Sequence, residues 1–529
     1  MYDLLIKNGL IVDGSRRKPF SGNVYIQDGK IAEISADDTK PAAKVYDAQG
    51  HVVAPGFVDI HTHSDVSYLH TPVMESMLSS GVTFQLVGQC GASCVPINDK
   101  NRRSQFDAQE PVHKTPMAEL DFTPYDFATY ADHVEQHGVS TNYGMLIGHS
   151  ALRSAIIGWE MRQMTADELR QMCELLEEQL KQGAAGISFG LIYPPGSFCD
   201  TEEVLALAST AAKYDRLLAV HMRNENLKVF EALDEMIGVA LKTGVRLEIS
   251  HLKLMGKPQW GRADELLAKV DLARAQGARI HCDQYPYTSS GSGLIASLPK
   301  WAMDGGYEAL VERLKDEKEW SRFRETGFPE LYNRGGPENI TVHEVEDPEM
   351  AWAVGKTIPE IAEIMELSIF EAIRELLVRN GGHVGCFYKC MDEGDLLQIM
   401  ARRDISVVSD GVTYNMGYYR GLPHPRYTGT FPRFLRLVRE HDLMPLEDAV
   451  YKISGLPATI AGFGDRFGFL KIGYDATVTV FDWDAVTDCA TFQNPVQKSK
   501  GIDLVMVNGE PVFEDGVFTA ARPGKVYKR

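Results

Sequence analysis

The 529-residue chain is short of cysteine, has no surplus of positive charge and contains no long apolar run. Its eight cysteines (90, 94, 173, 199, 282, 386, 390 and 489) are scattered, which argues against a disulfide framework and for a reducing cytoplasm. The pair Cys386 and Cys390 has no second pair or close histidine beside it and reads as structural. Lys and Arg total 54 against 73 Asp and Glu, a formal charge of −19. Such a surface repels phosphate backbones, so no nucleic-acid partner is expected. No apolar stretch approaches the roughly 18 residues that a membrane-spanning helix needs. The opening residues, Met1 to Gly9, lack a basic segment followed by a long apolar one, and no signal peptide is expected.

What remains is an ordinary globular balance, 44% hydrophobic and 24% charged. The length suits about two to three domains, or one large α/β barrel with additions. Residues 1–54 read as short strands and turns, with Asp-Gly steps at Asp13-Gly14 and Asp28-Gly29 between apolar runs. The end of the chain alternates in the same way at Ala476–Asp482 and Leu504–Val512. The two ends, 1–54 and 460–529, are therefore expected to share a small β-sandwich. Between them, 55–459 alternates strand-like and helix-like segments. Strand candidates are Val82–Val87, Tyr143–His149, Gly186–Ser188, Leu217–His221, Arg246–His251 and Ile405–Asp410. Ala166–Gln182 carries Leu169, Met172, Leu175, Leu176 and Leu180 on one helical face. That rhythm predicts a parallel sheet closed into a (β/α)8 TIM-like barrel. Residues 288–345 break the rhythm with Gly-rich turns and a charged helix, and are expected to form a lid-like insertion over the active face.

The apolar run Val52–Val58 reads as one short buried strand that delivers His61 and His63. Residues i and i+2 of a strand point to the same side, where two imidazoles can grip one metal ion. Cys90, His221, His251 and Asp410 follow other apolar runs in the same way. Each has an ordinary explanation alone: a satisfied core histidine, a small buried thiol, a turn or helix cap. Together they offer four imidazoles, one thiolate and one carboxylate at the strand ends where barrel enzymes keep their chemistry.

These segments resemble the amidohydrolase superfamily, and within it the N-acyl-D-amino-acid deacylases (D-aminoacylases). The resemblance is carried by Pro55–His63, Val87–Gly91, Gly190–Gly196, Ser250–Lys253, Asp283–Tyr287, Ser409–Gly411 and His424–Arg426. Many relatives use a carboxylated lysine as bridging ligand; this chain has none at the corresponding strand end and has Cys90 instead. The resemblance implies one tightly held Zn2+ on Cys90, His221 and His251, and a second, weaker site on His61, His63 and Asp410. It implies Asp410 as general base, Lys253 and Arg426 as anchors for the substrate α-carboxylate, and Tyr193 and Tyr285 as hydrogen-bond donors. The expected substrate is a small N-acyl-D-amino acid. The alternative is a cyclic-amide hydrolase of the hydantoinase or dihydroorotase kind. The tyrosine-rich loop Val412–Gly421, with Lys300 and Trp301, offers contacts to the acyl group or side chain.

Overall fold

The computed structural model describes residues 1–109, 121–417, 419 and 421–529. Strands β1 (Tyr2–Ile11), β2 (Phe20–Gln27), β3 (Lys30–Ser35), β4 (Ala42–Asp47) and β5 (Val52–Pro55) open the chain. Next come β6 (Phe57–Asp59), β7 (Val82–Val87), β8 (Asn142–Gly148), β9 (Gly186–Gly190), β10 (Leu217–His221), β11 (Arg246–Ile249) and β12 (Ile280–Gln284). Then follow β13 (Ser289–Gly293), β14 (Ile340–Val345), β15 (Val384–Lys389) and β16 (Ser406–Val407). The chain ends on β17 (Val478–Phe481), β18 (Ile502–Val507), β19 (Glu510–Glu514) and β20 (Val517–Phe518).

Both ends of the chain build one nine-stranded sheet, β20-β19-β18-β17-β5-β1-β2-β3, with β4 also on β1. Its core is aliphatic: Leu4, Ile6, Ile11, Val24, Ile26, Val53, Val478, Val480, Leu504 and Met506 pack together. The barrel is the ring β6-β7-β8-β9-β10-β11-β12-β16, in parallel register throughout. Its first and last strands meet at their C-terminal ends. There His63 N–H donates to Gly411 O at 2.7 Å and Thr62 bridges Gly411 in parallel register. Every residue of β7, β8, β9, β10 and β11 is buried, as in strands covered on both faces.

The helix Ala166–Gln182 forms as its pattern predicts. Thr165 and Glu168 make a reciprocal capping box, and Gly183 ends it in the left-handed region.

The run Val52–Val58 is not one strand. It divides at Gly56, with β5 in the terminal sheet and β6 in the barrel. A Cβ at Gly56 would lie 2.2 Å from Thr83 Oγ1, so only glycine lets the chain cross between sheets against β7. The sequence pattern also missed β12, whose polar residues His281, Asp283 and Gln284 hide its strand character.

Between β12 and β16 the chain leaves the barrel. It builds the antiparallel sheet β13-β15-β14 and a separate apolar cluster with Trp320, Phe323, Phe328, Ile340, Leu376 and Tyr388. This excursion runs past residue 345, because β15 pairs with both β13 and β14. No described helix is long and apolar enough to cross a membrane.

Candidate metal centre and active site

Eight parallel strands aim their C-terminal ends at one mouth, and the six residues singled out above all sit there. His61 and His63 follow β6 and Cys90 follows β7. His221 closes β10, while His251 and Asp410 come two and three residues after β11 and β16. Cys90 Sγ lies 3.3 Å from His61 Nε2, 3.5 Å from His251 Nε2 and 3.9 Å from His221 Nδ1. Asp410 Oδ1 lies 3.1 Å from His63 Nε2 and 3.4 Å from His61 Nε2. His61 therefore stands between the thiol and the carboxylate, and the six form one connected cluster.

Those spacings test the site for a cation. Zinc in a tetrahedral site, bonded at roughly 2.3 Å to sulfur and 2.0 Å to nitrogen, holds those two donors about 3.5 Å apart. The three sulfur–nitrogen distances here bracket that value. Ligand atoms of His61, Cys90, His251 and Asp410 all lie within 4.8 Å of one another. Electrostatics agrees. Burial would raise the Cys90 thiol, but His61, His221 and His251 bring it well below the ordinary thiol value. Burial would likewise raise Asp410, but Arg426, His61 and His63 hold its carboxyl well below the usual range. A thiolate and a carboxylate among four imidazoles form a donor set for zinc or a related divalent ion.

The backbone is strained where this cluster forms. Cys90, His251 and Asp410 have φ of 52°, 39° and 48°, in the left-handed region that costs a branched side chain. Asp283 holds one of these turns, its carboxylate accepting from the His251 backbone N–H while its other oxygen lies 3.5 Å from His61 Nδ1.

Two carboxylates here have no counterpart among the sequence-predicted residues. Besides Asp283, Glu225 reaches the outer ring nitrogens of two histidines. Oε2 is 3.2 Å from His221 Nε2 and Oε1 is 3.0 Å from His251 Nδ1. Such outer contacts set which nitrogen of an imidazole is free to bind a metal and fix the ring plane. The signal for Asp283 was its place in the Asp283–Tyr287 segment. For Glu225 the only one was its position four residues beyond His221, in a loop without apolar period.

Lys253 Nζ lies 2.7 Å from Glu225 Oε1 and 2.7 Å from His251 Nδ1. Arg426 Nη1 lies 2.8 Å from Asp410 Oδ2. Both expected carboxylate anchors are thus present, buried and paired with acids of the same cluster. Tyr193 packs edge-on against His221 at 4.9 Å, and Tyr285 lies beneath Arg426 and Lys253 at 4.8 Å and 5.6 Å. Burial raises both phenols, so they stay protonated and can donate. All ten predicted residues except His61 line one cavity of about 990 Å3. Lys300 lines it too, whereas Trp301 turns away and packs on Phe323 and Arg322. From the Val412–Gly421 loop, Val412, Thr413, Tyr414, Asn415 and Tyr419 reach the cavity; Tyr418 and Arg420 lie outside the described residues.

A second set of ligand-type residues lies behind the mouth. His149, Cys199 and Glu203 are buried with ligand atoms within 4.8 Å of one another. His149 opens the helix after β8 instead of ending the strand; its Nε2 is 2.6 Å from Glu203 Oε1. Arg153, fully buried, brings Nε to 3.7 Å from the same oxygen.

Known proteins place this arrangement. A sequence profile described as "Amidohydrolase family" matches residues 44–313 and 419–513. A D-aminoacylase of Alcaligenes xylosoxydans xylosoxydans is 32% identical, over 100% of this chain and 98% of that relative. The crystal structure of N-acyl-D-glutamate deacylase from Bordetella bronchiseptica, complexed with zinc and a phosphonate mimic of the tetrahedral intermediate, is 32% identical. It superposes with a TM-score of 0.84 over 100% of both chains. A D-aminoacylase structure concerned with a binuclear metal centre is 30% identical, with a TM-score of 0.84 over 100% of both chains. An L-hydantoinase from Arthrobacter aurescens, 16% identical with a TM-score of 0.59 over 100% of both chains, shares the fold alone. The chain belongs to the amidohydrolase family, in the branch of D-aminoacylase and the N-acyl-D-amino-acid deacylases.

Proposed function

We propose that the protein hydrolyses N-acyl-D-amino acids, releasing the carboxylic acid and the free D-amino acid, with zinc held at the barrel mouth. The observation that carries this reading is the convergence of Cys90, three histidine nitrogens and Asp410 at zinc-like spacings. Cys90, His221 and His251 hold the tighter ion; His61, His63 and Asp410 form a weaker site beside it. D-stereochemistry and the linear amide rest on the relatives' activities. The free state of all eight cysteines supports a cytoplasmic enzyme.

A divalent ion, when bound, supplies Lewis acidity toward the amide carbonyl and toward water. Asp410, kept ionised by Arg426 and the two histidines, accepts a proton at a carboxylate oxygen and returns it to the departing amine nitrogen. The substrate α-carboxylate draws Lys253 and Arg426 from their present acid partners into a charge-assisted pair. Tyr193 and Tyr285, both protonated, donate to the carbonyl or carboxylate oxygen. The excursion between β12 and β16 covers the mouth and keeps water away from these charges.

The test is a panel of N-acetyl-D-amino acids, their L-forms and a few hydantoins, assayed with zinc-loaded protein. Hydrolysis of the D-forms alone supports the reading. Turnover of hydantoins without D-forms would replace it with a cyclic-amide hydrolase.

A further inference from the structure

We propose that Arg334 anchors a second carboxylate of the substrate, beyond the α-carboxylate that Lys253 and Arg426 hold; the proposal rests on the deacylase reading. Arg334 directly follows the short helix Pro329–Asn333 in the excursion over the mouth. It is only 4% exposed, yet it lines the same cavity as Cys90, His221 and Asp410. Among the described residues its guanidinium has no ion pair and makes no side-chain hydrogen bond, and its Nε is buried without a partner.

The other buried and half-buried lysines and arginines of the cavity are matched; Lys228 and Lys300, which also line it, are exposed. Lys253 is paired with Glu225, Arg426 with Asp410 and Arg223 with Glu235. Of the two acids four residues away along the chain, Glu330 accepts from Asn226 at 3.0 Å and Glu338 is not paired with Arg334 among the described residues. The guanidinium of Arg334 instead lies over the Tyr388 ring, at 5.4 Å from its centroid. A buried arginine that meets no anion in its own fold is costly unless an anion arrives, and a guanidinium fork suits a carboxylate.

Its place in the cavity marks where that anion would sit. Arg334 and Tyr193 line the same cavity. Tyr193 in turn packs on His221. One cavity therefore connects the metal cluster, Tyr193 and Arg334. At about 990 Å3 the cavity exceeds what a small N-acetyl amino acid fills. Two substrate types carry the required charge: an N-acyl-D-amino acid with an acidic side chain, or one whose acyl group ends in a carboxylate.

The experiment compares kcat/KM for two isosteric pairs on zinc-loaded wild type, Arg334→Gln and Arg334→Lys. One pair is N-acetyl-D-glutamate against N-acetyl-D-glutamine. The other is N-succinyl-D-alanine against its succinamoyl amide. We expect the wild type to prefer the charged member of one pair. Arg334→Gln should reduce that preference at least about 30-fold, mainly through KM, with Arg334→Lys in between. The pair that responds identifies the source of the carboxylate. Equal ratios in wild type and Arg334→Gln overturn the proposal, as does a wild type that favours the neutral member of both pairs, which needs no variant. Failure to hydrolyse any N-acyl-D-amino acid overturns the deacylase reading and this proposal with it, whereas hydrolysis with unchanged ratios overturns this proposal alone.

Discussion

Among the described residues, two buried clusters hold histidine, cysteine and a carboxylate within ligand distance, and they differ in what surrounds them. In the mouth, Cys90 is ringed by imidazoles, which lower its thiol well below the ordinary value against the effect of burial. Behind the mouth, burial and Glu203 push the Cys199 thiol up to about 12 despite Arg223. Glu203 there already has partners: His149 at 2.6 Å and the Arg153 guanidinium at 3.7 Å. The rear cluster holds one carboxylate between an imidazole and a guanidinium, whereas the mouth gathers a thiol and a carboxylate around four imidazoles. Ligand-type residues in proximity do not by themselves make a metal site; the two clusters differ in whether the surroundings drive the thiol toward its thiolate.

Four measurements would break or sharpen that contrast. The largest effect is expected at Asp410. Asp410→Asn should lower kcat by about 10²- to 10⁴-fold while zinc content by elemental analysis stays near wild type; an active, well-purified Asn variant removes the general base from the mouth. Next is the carboxylate that braces two imidazoles. Glu225→Gln should weaken zinc binding about 10- to 100-fold in a chelator-competition titration, and unchanged affinity would make Glu225 a partner of Lys253 only. Cysteine reactivity compares the clusters directly. After zinc is stripped, iodoacetamide at pH 7 should modify Cys90 well ahead of Cys199, and zinc should protect Cys90; equal labelling would erase the distinction.

The smallest effect belongs to the rear cluster. Burial opposes the ionised form of Glu203, yet His149 and Arg153 lower its pKa from the ordinary 4.5. A carboxylate with a depressed folded value stabilises the fold above its unfolded pKa, and that contribution is lost as pH falls through the folded value. Glu203→Gln should therefore flatten the acid side of the stability curve and leave zinc content untouched. Loss of zinc in that variant would mean that the rear cluster also holds metal.

Several parts of this picture were legible in the chain. Apolar runs ending in polar residues marked His61, His63, Cys90, His221, His251 and Asp410, because strands buried on both faces leave their chemistry at the ends. Lys253 came from the family resemblance, since it lies beyond the end of β11. Glu225 escaped because it lies in a loop, where no period announces which way a side chain turns. Arg334 escaped for a similar reason: its meaning depends on which acids lie near it, and those come from distant segments. Val52–Val58 was misread because its apolar character is uniform across two sheets, and only the crowding of Gly56 against Thr83 shows the crossing.

The sequence by itself determined the alternation of strand and helix, the β-rich ends and the candidate donors at strand ends, since those follow from local periodicity and side-chain chemistry. Tertiary structure decided which acid stands beside which base. Coulomb and desolvation energies depend on separations of a few ångströms between residues hundreds of positions apart, as between Asp410 and His63, 3.1 Å apart across 347 positions.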